Sequence, residues 1–287
     1  MGGLIAHLGP AGTYAEAVAI AWAKHLSDRT GETWQLRPYP SIAQTLNAVV
    51  NQQTQIAVVP VENSIEGSVT MTLDTLWQLD TLQVQQALVL PIAHALISQA
   101  PDLKTIEYVY SHPQALAQCQ GWLGSKLPDV KTIATNSTVE ALEHLDPQAP
   151  TAAIASRRAA ELYDLPILAH PINDRPDNCT RFWVMGLEPS LTGTHTSLAF
   201  SLPKNTPGAL VTALQIFAKR QLNMSRIESR PTKRSLGEYL FFIDLETGLD
   251  PESVQRALEE LTSCTETLKI FGSYSVAAVD EPTPPLL

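Results

Sequence analysis

Apolar and polar positions in the N-terminal part of the chain change repeatedly between two spacings. Leu4–Leu8 is a short apolar run of the kind that forms a buried strand. After it, Tyr14, Val18 and Trp22 recur at helical spacing and would share one face of a helix. Gln55–Val61 again has the pattern of a buried strand, and strand-like and helix-like segments continue to alternate beyond it. This alternation predicts an α/β region with mostly parallel sheets.

The pattern changes after a polar segment between Pro189 and His195. From that point the predicted order is strand, helix, strand, strand, helix, strand, which is the ferredoxin-like βαββαβ arrangement. The closing DEPTPPLL is polar and rich in proline, so it is predicted to have no fold of its own. The expected organisation is therefore one region at 1–189, a second domain at 195–276 and a flexible tail at 277–287.

Composition and charge exclude several classes of protein. The formal net charge of −10, without a run of lysines and arginines, argues against a nucleic-acid partner. The longest apolar stretch, Ala87–Ile97, contains Pro91 and is far shorter than the roughly 20 residues that cross a bilayer, so no membrane association is expected. The three cysteines form no CxxC pair and the histidines show no metal-ligand spacing, so we expect neither a metal nor a cofactor. The chain opens without the features of an export signal, which predicts a cytoplasmic protein.

Two polar loops follow predicted strands in the first region. GPAGTY, Gly9–Tyr14, matches neither GxGxxG nor the phosphate-binding loop. It could hold a carboxylate at a helix N-terminus or be a tight turn that needs glycine, and both interpretations stay open. VVPVENSIEGSV, Val58–Val69, places Asn63 beyond a buried strand, where α/β proteins bind ligands. The alternative for this loop is a solvated turn capped by its polar side chains.

Two further motifs combine a strand with unusual polar residues. In YSHPQALAQC, His112 and Gln114 lie at a predicted helix start, whereas Cys119 shares a face with apolar residues and is predicted to be a core residue and not a nucleophile. In DNCTRFWV, Thr180 and Arg181 lie where a loop enters a strand. Arg181 could pair with an acidic neighbour or anchor a carboxylate of a ligand. Thr180 could be only a β-branched residue at a strand start.

Six motifs in a fixed order carry a much stronger signal than any one of them. They are GPAGTYAEAVA, VVPVENSIEGSV, YSHPQALAQC, NCTRFWV, TPGALVTALQIFA and RIESRP. In wording and order they resemble the prephenate dehydratase family with its C-terminal ACT domain, and the resemblance extends from Leu4 to about Val276. It implies an α/β protein with a two-lobed, periplasmic-binding-protein-like catalytic region followed by a ferredoxin-like ACT domain. The implied activity is the decarboxylating dehydration of prephenate to phenylpyruvate in L-phenylalanine biosynthesis, with feedback regulation by phenylalanine through the ACT domain.

The resemblance also assigns roles to residues of this sequence. It implies the catalytic residues Thr180, Asn63, Gln114 and Arg181. It implies the substrate-binding residues Thr13, Ser64, Ser68, Ser111, Ser137 and Phe182. It implies the phenylalanine-binding residues Gly208, Ala209, Leu210, Glu228, Ser229, Arg230 and Pro231.

These assignments lead to a hypothesis for the chemistry. The Thr180 hydroxyl would hydrogen-bond the departing hydroxyl group and help to deliver a proton. Asn63 and Gln114 would orient the ring, and Arg181 would anchor a carboxylate. The source of the proton stays open among Glu62, Glu66 and His112.

Two alternative functions share these features. Arogenate dehydratase differs only in its substrate, which has an amino group in place of the keto oxygen of prephenate. A non-catalytic cytosolic amino-acid sensor would combine the same solute-binding fold with an ACT domain. We also expect a homodimer or homotetramer, because the edge of an ACT sheet needs to be covered.

Overall fold

The computed structural model describes residues 2–280, which form three sheets and their covering helices. The helices are α1 (Tyr14–Thr30), α2 (Ile42–Val50), α3 (Thr70–Gln78), α4 (Pro113–Gln118), α5 (Gln120–Lys126), α6 (Arg157–Leu162), α7 (Ala209–Ala218) and α8 (Glu252–Cys264). The strands are β1 (Leu4–Leu8), β2 (Gln35–Tyr39), β3 (Ile56–Asn63), β4 (Gly67–Ser68), β5 (Gln83–Pro91), β6 (His94–Ile97), β7 (Tyr108–Ser111), β8 (Lys131–Ala134), β9 (Thr151–Ser156), β10 (Ile167–Ala169), β11 (Cys179–Gly186), β12 (His195–Ser201), β13 (Met224–Pro231), β14 (Tyr239–Leu245), β15 (Thr267–Tyr274) and β16 (Val276–Ala278). Short 3-10 turns lie at Leu103–Thr105 and Glu140–His144.

Within residues 2–280, none of the helices combines the length and the apolar character that crossing a membrane requires.

The first lobe is built on a seven-stranded sheet with the strand order β16-β5-β11-β3-β1-β2, and β4 pairs with β3. The neighbours β2, β1 and β3 are parallel, because α1 connects β1 to β2 and α2 connects β2 to β3. Helix α1 covers one face of the sheet with the fully buried Val18. Helices α2 and α3 cover the other face with Leu46, Leu73 and Leu76.

The second lobe carries a five-stranded sheet with the strand order β10-β6-β9-β7-β8. The chain enters this lobe between β5 and β6 and returns between β10 and β11, so two crossing segments join the lobes. This is the two-lobed arrangement that the sequence predicts. The prediction of mostly parallel sheets is wrong, because β11 is antiparallel to both of its neighbours and β6 is antiparallel to β9 and β10. Both strands adjoin a crossing, where no covering helix forces the parallel direction.

The C-terminal domain has the predicted ferredoxin-like order β12-α7-β13-β14-α8-β15 and forms an antiparallel sheet β13-β14-β12-β15. Helices α7 and α8 pack on one face of this sheet through side chains such as Phe217 and Leu261. The opposite face packs on the first lobe, where Phe242 meets the ring of Trp77 at a centroid distance of 6.5 Å. Its sheet therefore shares one hydrophobic core with the first lobe.

The end of the described chain returns to the first lobe. In β16, Val276, Ala277 and Ala278 pair in parallel with β5. The prediction of an unfolded tail from residue 277 is wrong for Ala277 and Ala278, because their pairing covers an otherwise open edge of the sheet. Val279 adds a backbone hydrogen bond to Val89 and packs against the core of the lobe. The rest of the predicted tail, 281–287, lies outside the described residues.

Candidate active site

A cleft of about 1000 Å³ lies between the two lobes. It opens beyond the carboxyl ends of β1, β3 and β7, which is the usual place for a ligand in an α/β sheet. Seven of the residues proposed from the sequence border this cleft: Thr13, Asn63, Ser68, Gln114, Ser137, Thr180 and Phe182. The fold thus brings together side chains that are up to 169 positions apart in sequence, from Thr13 to Phe182.

Thr180 and Asn63 form the centre of the site. They are register partners on the antiparallel strands β11 and β3. Asn63 Oδ1 accepts hydrogen bonds from the backbone N–H groups of Ile65 (3.0 Å) and Glu66 (3.1 Å), so its Nδ2 group must face the other way. Asn63 Nδ2 donates to Thr180 Oγ1 at 2.9 Å. The Thr180 hydroxyl therefore accepts from Asn63 and keeps its own proton for another partner.

Two buried amides that sequence reasoning missed extend this arrangement. Asn63 Nδ2 also donates to Asn178 Oδ1 at 2.8 Å, and Asn178 Nδ2 donates to Gln118 Oε1 at 2.9 Å. We call Asn63, Asn178 and Gln118 the amide chain. Asn178 is 1% exposed, and its place directly before the Thr180 motif in NCTRF was the signal that could have marked it.

A second glutamine, Gln118, lies deeper in the cleft than Gln114, which the sequence analysis proposed. Gln114 is exposed at the border of the cleft, whereas Gln118 is buried on its floor and bonded to the amide chain. The two residues are one helical turn apart and share a face of α4, so their spacing alone could not decide between them. Gln118 is the glutamine that the structure connects to Thr180.

Arg181 does not reach the cleft, which contradicts its predicted role as an anchor for a substrate carboxylate. Successive side chains of a strand point to opposite faces, so Thr180 and Phe182 face the cleft and Arg181 faces the C-terminal domain. There its guanidinium pairs with Glu62 and lies 3.1 Å from the fully buried carboxylate of Asp244. Arg226 makes a bidentate pair with the same carboxylate at 2.8 and 3.1 Å. Arg181 thus belongs to a buried ion network between the domain and the lobe.

Two of the predicted substrate-binding serines have structural roles. Ser111 is fully buried and donates to the backbone oxygen of Ile154 at 2.6 Å. Ser64 lies outside the cleft lining, and its hydroxyl accepts from the backbone N–H of Cys179 at 3.0 Å. Ser64 therefore fixes the loop that carries Asn178, and Ser111 fixes β7 against β9. The structure gives neither serine direct access to a ligand in the cleft.

The three candidate proton donors are separated by the fold. Glu62 pairs with Arg181 on the far side of the sheet, whereas Glu66 and His112 border the cleft. His112 Nδ1 accepts from the backbone N–H of Gln114 at 3.3 Å, which leaves Nε2 to carry the ring proton. Burial lowers the pKa of His112, and the nearby charge of Glu66 acts in the opposite direction.

The cleft has an unusual charge balance. Its lining, as far as the chain is described, includes Glu66, Glu140 and Glu143 but neither a lysine nor an arginine. An anionic ligand would therefore be held by hydroxyl, amide, imidazole and backbone N–H groups. Cys119 does not contribute, since it is buried in the core of the second lobe as predicted, and burial raises the pKa of its thiol to about 12.

GPAGTY forms both a tight turn and a contact between the lobes. Gly12 has φ of +88°, and a side chain there would lie 3.2 Å from Cβ of Ala159, so the turn requires glycine. The oxygen of Gly12 accepts from Ser156 Oγ at 2.8 Å, and Glu16 pairs with Arg158 at 3.0 Å. These bonds cross from the first lobe to the second and fix the width of the cleft.

A second cavity of about 520 Å³ lies in the C-terminal domain. Gly208, Ala209 and Leu210 border it at the start of α7. The other predicted effector residues, Glu228, Ser229, Arg230 and Pro231, do not border it in the described chain, and Arg230 makes a bidentate pair with Asp74 of α3 at 2.9 and 3.1 Å. The structure therefore separates the two halves of the predicted phenylalanine site within one chain.

Comparison with known proteins agrees with this architecture. The family model of prephenate dehydratase matches residues 5–190, and that of the ACT domain matches residues 196–262. The prephenate dehydratase of Lactococcus lactis subsp. cremoris is 38% identical over 285 residues, which cover 96% of this chain and 99% of that protein. The crystal structure of a prephenate dehydratase from Arthrobacter aurescens in complex with L-Phe superimposes with a TM-score of 0.85 at 34% identity, covering 95% of this chain and 90% of that chain.

A third similar protein has a different description. GqqA, a protein described as a novel type of quorum quenching acylase, has a TM-score of 0.78 at 27% identity, over 96% of this chain and 98% of its own. The prephenate dehydratase model nevertheless covers the cleft residues of both lobes and more than half of the chain, and the Lactococcus relative matches nearly all of it. On this evidence the chain belongs to the prephenate dehydratase family and carries a C-terminal ACT domain.

Proposed function

We propose that this enzyme, a hydro-lyase that converts prephenate to phenylpyruvate, uses the Thr180 hydroxyl as hydrogen-bond donor to the hydroxyl group that leaves the ring. One observation carries the proposal: Thr180 Oγ1 accepts from Asn63 at 2.9 Å and has no acceptor for its own proton among the described residues. A donor so placed at the floor of the cleft is held ready for the substrate.

The reaction requires mainly that the substrate is oriented and that one proton is supplied. The bond between the ring and its carboxylate breaks, and the electron pair enters the ring as carbon dioxide departs. The ring then expels its hydroxyl group, which takes up a proton and leaves as water. Because the ring becomes aromatic, a weak donor at the right position is sufficient, and a positioned proton-transfer group typically contributes about 100- to 10,000-fold. We assign the supply of the proton to Glu66 or His112, since both border the cleft.

The absence of a cation from the described cleft lining favours the decarboxylation step. A carboxylate paired with arginine would lose that attraction on becoming neutral carbon dioxide, so the pair would stabilise the ground state. Hydroxyl groups of Ser68 and Ser137 at the border of the cleft can bind the carboxylates without this penalty, whereas the Thr13 hydroxyl donates to the backbone oxygens of Leu8 and Pro10. In this proposal Gln118 takes the ring-orienting role that the sequence analysis gave to Gln114, Gln114 contacts the substrate from the rim, and Arg181 makes no contact with the substrate.

Phenylalanine regulation is assigned to the ACT domain, and we propose that the effector enters at the second cavity. The free N–H groups at the start of α7 would hold its carboxylate beside Gly208, Ala209 and Leu210. Glu228, Ser229, Arg230 and Pro231 would complete the site from a second copy of the chain. The outer strand β13, with Ile227 half exposed, supports a homodimer or homotetramer in which that edge is covered.

The domain limits and the compartment are proposals of the same kind. The catalytic domain would span residues 1–189 and the ACT domain residues 195–276, which the matched ranges 5–190 and 196–262 support. The cytoplasm is the proposed compartment, because Cys119, Cys179 and Cys264 are all unpaired, as thiols are in a reducing environment.

The experiment that tests the function compares turnover of prephenate and arogenate by the purified full chain. Formation of phenylpyruvate from prephenate, with a higher kcat/KM than for arogenate, is the expected result. A preference for arogenate would make the protein an arogenate dehydratase. Binding of amino acids without turnover of either compound would support the sensor instead and contradict the proposed chemistry.

A further inference from the structure

His94 lies in the floor of the cleft and borders it, where the first crossing segment enters the second lobe. Its side chain is 3% exposed, and both ring nitrogens have a partner. Nε2 lies 3.0 Å from Gln118 Oε1, and Nδ1 lies 3.0 Å from the Tyr14 hydroxyl. Its backbone N–H donates to Asn173 Oδ1 at 2.5 Å, so the backbone at His94 is attached to the segment that returns to the first lobe.

The direction of every hydrogen bond between Asn63 and His94 follows from two backbone groups. The N–H groups of Ile65 and Glu66 require an oxygen at Asn63 Oδ1, which turns Asn63 Nδ2 towards Asn178. Asn178 then presents its own Nδ2 to Gln118 Oε1. Turning any one amide by 180° would place two donors or two acceptors face to face, so the orientation propagates along the whole amide chain.

This propagation fixes the tautomer of His94. Because Gln118 presents an oxygen, His94 Nε2 must carry the proton and donate it. Nδ1 is then an acceptor for the Tyr14 hydroxyl, whose single proton is shared with the backbone oxygen of Ala93, also at 3.0 Å. Gln118 Oε1 accordingly accepts two hydrogen bonds, from Asn178 and from His94, on the side away from the cleft. Burial lowers the pKa of His94 to about 4, so the ring is neutral near pH 7.

We propose that His94 is a positioning residue of the active site, acting through Gln118 and not on the substrate. The Nε2–H group donates to the oxygen of Gln118 and so directs the Gln118 NH₂ group to the cleft, where Nε2 of Gln118 lies 3.5 Å from Oε1 of Glu66. With only Asn178 left as partner, the Gln118 amide would be free to turn away from this orientation. This inference rests on the proposed contact between Gln118 and the substrate.

Two polar variants of His94 separate this role from general support of the fold. The amide of glutamine reaches as far as Nε2 of histidine, so His94→Gln can still donate to Gln118. The amide of asparagine reaches only as far as Nδ1, so His94→Asn keeps the Tyr14 side and loses the Gln118 side. We expect His94→Gln to retain most of kcat and His94→Asn to lose roughly tenfold, the equivalent of one oriented hydrogen bond. His7→Asn, at another buried histidine that does not border the cleft, is the matched control and should keep kcat.

A double-mutant cycle with Gln118→Ala gives the sharper test. If His94 acts through Gln118, His94→Asn should lower kcat no further once Gln118 is truncated. Additive losses, or equal kcat for His94→Asn and His94→Gln, would overturn the inference while leaving the proposed function intact. Wild-type turnover by Gln118→Ala would instead show that the proposed role of Gln118 is wrong. The proposed role of His94 would then be wrong too, because it depends on Gln118.

A measurement on the unaltered protein guards against variants that do not fold. Nitrogen-15 NMR of the histidine rings at pH 7 reports which nitrogen carries the proton. A signal for His94 in the Nε2–H form is expected, and the Nδ1–H form would contradict the proposed direction of the amide chain.

Discussion

Arg181 and Asp244 meet at 3.1 Å across the boundary between the first lobe and the ACT domain, directly behind Thr180. Along β11 and β3, the pair Thr180 and Asn63 faces the cleft, and the next pair, Arg181 and Glu62, faces the ACT domain. Neighbouring residues on the same two strands therefore serve the site on one side and the domain contact on the other. A displacement of Asp244 would therefore disturb the ion pair of the residue next to Thr180.

Removing the Thr180 hydroxyl should abolish most of the activity. We expect Thr180→Ala to lower kcat by about 100- to 10,000-fold, because a positioned proton-transfer group is lost, and Thr180→Ser to retain much more. Initial rates of phenylpyruvate formation measure the effect, and circular dichroism checks the fold. An alanine variant that folds and turns over at the wild-type rate would remove Thr180 from the mechanism.

Asn63→Asp should be harmful although the two side chains have nearly the same shape. One carboxylate oxygen can still accept from the N–H groups of Ile65 and Glu66, but the other cannot donate to Thr180 or Asn178. The Thr180 hydroxyl would then donate to the new carboxylate and no longer to the substrate. A loss in kcat of about 100-fold with a smaller change in KM is expected from steady-state kinetics. A change confined to KM would mean that Asn63 serves binding alone.

Arg181→Met should reduce stability and leave substrate binding nearly unchanged. The variant removes the pairs with Glu62 and Asp244, while Arg226 still neutralises Asp244. We expect a loss of about 1.5 to 3 kcal/mol in the free energy of unfolding, typical of hydrogen bonds to charged groups. Urea unfolding gives that value and initial rates give KM. A large rise in KM for prephenate would instead show that Arg181 anchors a carboxylate of the substrate.

Asp244 should make the stability of the protein sensitive to acid. Burial alone would raise the pKa of Asp244, but the charges of Arg226 and Arg181 and the hydrogen bonds from Arg226 and Ser197 lower it below its usual value. A carboxylate whose pKa is lower in the folded state contributes stability that is complete above the unfolded value of about 3.9 and is lost as the pH falls through the folded value. Asp244→Asn should cost about 3 to 5 kcal/mol at pH 7, because two arginines lose their carboxylate.

The pH dependence provides the control for that substitution. Unfolding free energies of wild type and Asp244→Asn should converge as the pH drops below about 4, since only wild type then loses the contribution of Asp244. Parallel curves for the two proteins from pH 7 to pH 3 would show that Asp244 is not charged in the folded state.

L-Phenylalanine and prephenate should weaken each other's binding by the same factor. The coupling free energy is expected to be about 1 to 3 kcal/mol, and linkage makes it reciprocal. Gly208→Ala should reduce the response, because Gly208 has φ of +84° where α7 begins and alanine would be strained there. Gly124→Ala, at an open position of α5 in the catalytic region, is the control. Calorimetric titration of both variants with phenylalanine decides the point, and unchanged binding to Gly208→Ala would place the effector elsewhere.

The sequence predicted most of the fold because local patterns determine it. Apolar spacing identified the α/β region and the βαββαβ order, and motifs at strand ends brought Asn63 and Thr180 into one cleft. The strand directions around the crossings depend on contacts between distant segments, which no local pattern encodes. Ala277 and Ala278 form a strand only because β5 offers an open edge.

The errors in the site have equally specific causes. Because successive side chains of a strand point to opposite faces, the sequence already implied that Thr180 and Arg181 lie on opposite sides of the sheet. The two residues were nevertheless assigned to one site because they are adjacent in the motif. Gln114 and Gln118 share a helix face, so only the fold shows which one lies level with Asn178. The contact between Tyr14 and His94 joins residues 80 positions apart, so the residues around neither of them could predict it.

The return of β16 to the first lobe attaches the ACT domain to the large sheet at both of its ends. The chain leaves the large sheet at Gly186 of β11, beside Gln83 of β5, and rejoins it at Val276 of β16, beside Ala87 on the other edge of β5. The two attachment points are therefore two strand spacings and four residues apart, or roughly 16 Å. A rotation of the ACT domain that separated β16 from β5 would break the pairing between these two strands. Strand β13, which carries Arg226 and Arg230, lies three strand spacings from β15, or about 15 Å, so a tilt of about 5° moves it by about 1 Å. A displacement of this size is enough to break the hydrogen bonds between Arg230 and Asp74. A small rotation of the ACT domain would therefore remove a contact between it and the first lobe.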